Sequence, residues 1–307
     1  MRTSRPWLPL VAVAAILTGG AAAGRQFKTG IDVVRLPVVV TGRNGLLVRG
    51  LTQQDFEVLE DGKPQQISYF VEGAPGEALP LHLGLALDGS TSMERDIKKA
   101  GDAIVQFVRA LEEAADVTFV EFDTSVKISF FKPESYAHLF ERIRARKAEG
   151  WTSLYDALGA YLERALRQSG QHVLLLYTDG GDSTSRMTFS QLTDLLRLGN
   201  VMVYVIGYLE NQSASFRLPQ QMRLDQIARE TGGQAFYPGS AQELHELYAK
   251  ILDELGSRYT IGYVPANLKA DGKFREVQVR LIRADANKGA KVRTRSGYLA
   301  PVAPKHP

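Results

Sequence analysis

The feature that most constrains this chain is a hydrophobic period that changes twice. Between Leu81 and Leu255, short apolar runs alternate with stretches whose apolar residues recur every three or four positions. On either side only strand-like segments are found. Parallel strands need a crossover long enough for a helix, so alternating strands and amphipathic helices specify a mostly parallel sheet with helices on both faces. Residues 81–87, 117–120, 126–130, 173–177 and 201–206 read as its strands. Helices are expected through Ile97, Ala100, Ile104, Val108 and Leu111, over 134–148, 154–166 and 189–198, around 224–229, and along Leu244, Leu247, Tyr248, Ile251 and Leu255.

The flanks are β. Residues 33–40 are rich in Val and end at the turn pair Asn44-Gly45; residues 56–60 meet Asp61-Gly62 before 66–70. After Arg258, residues 259–263, 277–281 and 292–294 repeat the pattern. Two or three strands are marginal alone. The economical fold is one small all-β sandwich built from both flanks, with the α/β domain inserted between them. The expected boundaries are a signal peptide at 1–23, an N-terminal β segment at 24–78, the α/β domain at 79–256, a C-terminal β segment at 257–299 and a disordered tail at 300–307.

The signal peptide is read from Arg2 and Arg5, an apolar run over 8–17, and Ala21-Ala22-Ala23 at a small-residue cleavage site. That run is about half of the roughly 20 residues a bilayer span requires, so no stable membrane span is expected after cleavage. Export to a periplasm or to the medium is the expected localisation. No cysteine is present, which excludes disulfides, thiolate metal sites and lipid attachment through cysteine. A net charge of +3 with no basic block is too small to imply a nucleic-acid partner, and none is expected.

Three loops carry the chemistry. Asp88-Gly89-Ser90-Thr91-Ser92 follows the first apolar strand, Gly150-Trp151-Thr152-Ser153 precedes a helix, and Asp179-Gly180-Gly181 follows the strand at 173–177. In open parallel sheets, functional groups gather beyond the carboxyl ends of the strands. Hydroxyl and carboxylate donors suit a hard cation, namely Mg2+, with Mn2+ or Ca2+ possible; no cysteine or histidine pair is on offer for zinc. Ser90, Ser92 and Thr152 are neutral donors, while Asp88 and Asp179 can hold metal-bound waters and supply charge.

The D-x-S-x-S sequence, the later Thr in a Gly-x-Thr loop and Thr-Asp-Gly after an apolar strand resemble the metal-ion-dependent adhesion site of von Willebrand factor type A domains. The resemblance covers about residues 79–256. It implies a doubly wound six-stranded sheet of order 3-2-1-4-5-6, direct coordination by Ser90, Ser92 and Thr152, and coordination through water by Asp88 and Asp179. It also implies a protein or peptide partner whose exposed Asp or Glu completes the shell. Residues 51–56, 60–63, 262–265 and 295–298 are similar to a bacterial subfamily of exported von Willebrand factor type A related proteins. Glu94-Arg95-Asp96 places an arginine where a second, adjacent metal site would call for an acid, so one ion is expected.

The plainer readings are that Asp88 or Ser92 caps the following helix, that Thr152 or Ser153 caps the next, and that Asp179-Gly180 is only a turn. Asp182 reads as a solvated loop residue. Trp151 is either an aromatic anchor for a partner or a residue folded onto the core. Two other functions are weighed: a structural component of an envelope complex, and a serine hydrolase suggested by Gly181-Asp182-Ser183. The hydrolase lacks a recognisable base and any G-x-S-x-G, so no enzymatic activity is expected.

Overall fold

The computed structural model describes residues 33–73, 80–111, 114–210, 212–282 and 289–302. The expected signal peptide at 1–23 lies outside the described residues, as do residues 74–79. In chain order the strands are β1 (Val34–Thr41), β2 (Phe56–Glu60), β3 (Lys63–Gln65), β4 (Ile67–Glu72), β5 (Leu81–Asp88), β6 (Ala114–Phe122), β7 (Val126–Phe131), β8 (Gln171–Thr178), β9 (Val201–Gly207), β10 (Ala235–Phe236), β11 (Tyr259–Tyr263), β12 (Phe274–Leu281), β13 (Lys291–Arg293) and β14 (Gly297–Leu299). The helices are α1 (Ile97–Ala110), α2 (Tyr136–Ala145), α3 (Leu154–Ala165), α4 (Phe189–Leu198), α5 (Ala214–Glu230) and α6 (Ala241–Ser257).

The central sheet has the order β10-β9-β8-β5-β6-β7. All its pairings are parallel except β6 with β7, which a short turn can join because they run antiparallel. Its middle strands are buried on both faces, which is why 83–87 and 173–177 read as unbroken apolar runs rather than alternating ones. One face packs Leu83, Leu85 and Leu87 against α1 and α6; the other packs Ala86, Leu174 and Leu176 against α3, α4 and α5. These are the two helical layers of a doubly wound fold.

The flanks form two further sheets, β13-β1-β11-β4 and β14-β12-β2-β3, and each mixes strands from both ends of the chain. Leu36, Val38, Phe56, Val58, Tyr259, Ile261 and Val277 close one core between them. Glu60, almost wholly buried, accepts the hydroxyl protons of Tyr263 at 2.9 Å and Tyr298 at 2.8 Å, tying the two sheets together. Burial first, then Glu60, holds the Tyr263 phenol far above its ordinary range.

The sandwich is fastened to the C-terminal ends of the helices. Arg295 donates to the Arg197 carbonyl at 2.6 Å, Arg293 donates to the Gly232 carbonyl at 2.7 Å and pairs with buried Glu254, and Ser296 donates to Glu230. In a parallel sheet those helix ends lie at the edge where strands begin, so the edge where strands finish stays uncovered by the sandwich.

Three expectations change. Helix α5 begins at Ala214, ten positions before the periodic part of its sequence, and α2 ends at Ala145 where 148 was expected. The expected disordered tail at 300–307 is partly ordered: Ala300 is buried, its N–H donates to the Lys273 carbonyl at 2.9 Å, and Val302 bridges Asp271. Residues 303–307 lie outside the described residues.

Tyr263→Phe removes one of the two donors to a buried carboxylate, and a lost partner for such a group costs about 1–3 kcal/mol. Chemical denaturation of the variant is expected to show that loss, and Tyr298→Phe a similar one.

Candidate metal centre

Strands β5 and β8 are neighbours at the point where the strand order reverses, and they end at Asp88 and Thr178. Asp88 is fully buried there. Its Oδ1 accepts the Ser90 N–H at 2.9 Å and its Oδ2 accepts the Thr178 hydroxyl at 2.6 Å. Thr178 Oγ1 accepts in turn from the Gly180 N–H at 3.0 Å, so the first loop is bolted to the second. Gly180 takes φ +81°, a left-handed turn that side chains resist. Beside it, Asp179 accepts from the Gly181 N–H at 3.0 Å and from Gln212 Nε2 at 2.6 Å.

The third loop is braced to both others. Thr91 donates its N–H and its hydroxyl to the Gly150 carbonyl at 3.1 and 3.0 Å. The Thr152 carbonyl accepts from the N–H groups of Ser183 and Thr184 at 2.9 and 3.0 Å, and the Thr152 N–H donates to Ser183 Oγ at 3.0 Å. Arg146 packs over Gly89, so close that an added Cβ would meet its guanidinium at 2.3 Å, and it pairs with Asp123 behind the loop.

Ser90, Ser92, Thr152 and Trp151 line one open cleft of about 960 Å³, together with Gly180 and Gly181. Asp88 and Asp179 are buried close enough to each other for their charges to interact. All five expected ligand residues are therefore brought to one place. Ser90 Oγ and Ser92 Oγ stand 3.1 Å apart. Two oxygens on adjacent corners of a magnesium octahedron with bonds of about 2.0–2.1 Å are about 3 Å apart, so the pair fits one edge of such a shell.

Charge gives a second test of fit. Burial pushes the Asp88 carboxyl up to about 7, and repulsion from Asp179 adds to that, against the pull of the donors from Ser90 and Thr178. Two carboxylates held this way are a poor arrangement on their own and a good one around a divalent cation. Among the described residues, no group of three or more His, Cys, Asp or Glu side chains is placed to hold a metal. The donor set is hydroxyl-rich instead, which suits an ion that keeps waters.

Of the capping readings, the one for Ser153 has the residue at the expected cap position, whereas neither Asp88 nor Ser92 is the N-cap of α1. Asp96 and Ser153 stand at the N-caps of α1 and α3 without a side-chain capping bond. Asp182, expected to be solvated, is half-buried; it accepts the Tyr155 N–H at 3.1 Å and the Ser185 hydroxyl at 2.6 Å, and so serves the start of α3. Sequence reasoning missed this because the two partners are 27 positions apart or follow it in the loop. Trp151 is 66% exposed, on the anchor side of the two alternatives. Ser183 is engaged with Thr152, and among the described residues no histidine lines the cleft. His82 and His172 stack at the opposite edge of the sheet, where His82 meets Asp116 at 2.8 Å, a pairing the sequence spacing did not reveal.

The sequence profile of the von Willebrand factor type A domain matches residues 82–250. The chain belongs to this family. Domains of this kind generally act by binding. No curated protein matches the chain. Among solved structures it is similar to a von Willebrand factor type A protein from Catenulispora acidiphila, at 15% identity over 89% of this chain and 74% of that one, with a TM-score of 0.48. It is also similar to the conserved hypothetical protein BatB from Bacteroides thetaiotaomicron, at 17% identity over 58% and 100%, with a TM-score of 0.45. A third is proximal thread matrix protein 1 from the mussel byssus, whose motif is occupied by zinc, at 18% identity over 64% and 49%, with a TM-score of 0.45.

A cation bound at this site would compete with the Asp88 proton. Below about pH 7 the folded, metal-free protein holds that proton and the ion must displace it; above, the charge is already there and costs stability until a cation compensates it. Added Mg2+ is therefore expected to raise the melting temperature more at pH 8 than at pH 6, and Asp88→Ala to remove the rise at both. An equal rise in the variant would mean that the ion binds elsewhere.

Proposed function

We propose that this von Willebrand factor type A protein is an exported, non-enzymatic binding protein that captures an acidic side chain of a protein or peptide partner through one divalent ion, Mg2+ by preference. The observation that carries the reading is the pair of serine hydroxyls 3.1 Å apart, set beside two buried carboxylates that repel each other. Ser90, Ser92 and Thr152 would hold the ion directly. Asp88 and Asp179, each with both oxygens already anchored by donors, would act through water. When bound, the ion supplies a coordination position that an outside carboxylate can take.

The chain's own residues do the rest. Thr178 and the Ser90 N–H keep the Asp88 carboxylate in one orientation, and Gln212 does the same for Asp179. The braces among the three loops mean that little rearrangement is needed when a partner arrives, which lowers the cost of binding. Export is supported by the apolar N-terminal run and its small-residue site. Among the described residues no helix is long and apolar enough to cross a membrane.

A pull-down from the native host tests this reading. Partner capture by the full chain is expected to be lost in EDTA, restored by Mg2+ and absent in Asp88→Ala. Capture indifferent to all three treatments would point to a scaffold that works by packing.

A further inference from the structure

One face of α5 forms a wall of the cleft. Phe216, Pro219, Gln220 and Arg223 line it at spacings of three, four and seven, which is a single helical stripe. Trp151 lines the same cleft beside Thr152. Phe216 is 63% exposed and Trp151 66%, so two large aromatic side chains stand in solvent around the proposed metal position. Leu218 and Met222, each 63% exposed, lie on the other side of α5 and take no part in the cleft. Helix α1, by contrast, turns Ile97, Ala100, Ile104, Val108 and Phe107 into the core. Isolated exposed apolar residues need no explanation; two large aromatic ones lining one cleft do.

Polar groups in the same wall identify what the rim would cover. Arg223 donates to the Tyr155 hydroxyl at 3.1 Å and adds positive charge to the cleft. Gln220 Oε1 is buried without a hydrogen-bond partner. Pro219 has no N–H to offer the Ser215 carbonyl one turn back, and Ser215 also lines the cleft. An arginine with aromatic side chains lining the same cleft has the composition of a protein-binding hot spot.

We propose that the cleft docks an extended segment of a partner protein in which a carboxylate and a large apolar side chain stand within one or two residues of each other. The carboxylate goes to the Ser90–Ser92–Thr152 end, and the apolar side chain seats between Trp151 and Phe216 over Pro219. The proposal rests on the metal-dependent reading and adds to it the kind of partner that is selected. The floor satisfies the charge; the rim discriminates among acidic sequences.

A displayed library of random linear peptides, panned on the full chain in Mg2+ and eluted with EDTA, tests it. Eluted peptides are expected to carry Asp or Glu within two positions of Trp, Phe, Leu, Ile or Met. A synthetic copy of the strongest should bind Phe216→Ala and Trp151→Ala about tenfold more weakly or worse, as expected for truncated anchors. Both side chains are exposed, so these variants should keep the Mg2+-dependent rise in melting temperature, which reports that fold and ion site are intact. If that rise is kept but no peptide elutes, or the peptides show acids without an apolar neighbour, or both variants bind as tightly as the parent, the docking surface is wrong and the ion site stands. If the rise is missing from the parent chain, the metal reading itself has failed.

Discussion

Repulsion between two carboxylates buried at adjacent strand ends is the interaction around which the rest of this structure is arranged. Asp88 and Asp179 are where they are because β5 and β8 lie side by side where the sheet changes winding direction. Burying such a pair is unfavourable unless hydrogen bonds and a counter-charge compensate it. The hydrogen bonds come from Ser90, Thr178, Gly181 and Gln212, contributed by three separate segments. In the proposed function the counter-charge is an ion that Ser90, Ser92 and Thr152 would hold. A site of this type gives up stability locally for function, and the two apolar layers beneath it supply the rigidity that keeps it in shape.

The β sandwich belongs to the same logic. It takes strands from both ends of the chain and joins the α/β domain through Arg293, Arg295 and Ser296 at the helix C-termini. Arginines withdrawn from solvent in this way need their donors matched: the Gly232 carbonyl and Glu254 match Arg293, and the carbonyls of Gly297 and Arg197 match Arg295. Because the attachment is at the edge where strands begin, the opposite edge, with its cleft and exposed aromatics, is left for a partner.

Much of this was legible in the residues. Unbroken apolar runs announced strands buried on both faces, the change of period announced an inserted α/β domain, and three short loop sequences named the five residues that the fold brings together. What stayed hidden has physical causes. Helix α5 escaped over its first ten residues because Phe216, Leu218 and Met222 point outward and Pro219 interrupts the pattern, leaving no core-facing period to find. Gln212 and Arg223 could not be assigned because their partners, Asp179 and Tyr155, are more than thirty positions away. Strand β10 is only two residues long, too short for alternation to register. Val302 pairs with Asp271 through backbone groups that sequence does not display.

Where a cation binds decides between a working site and a merely strained one. Crystals of the full chain grown with Mn2+ and measured at the manganese absorption edge would locate it without assumption. One strong anomalous peak touching the hydroxyls of Ser90 and Ser92, with Asp88 and Asp179 reached through water, is the predicted map. A peak at another place, or an empty map in the presence of millimolar manganese, would contradict the account at its root.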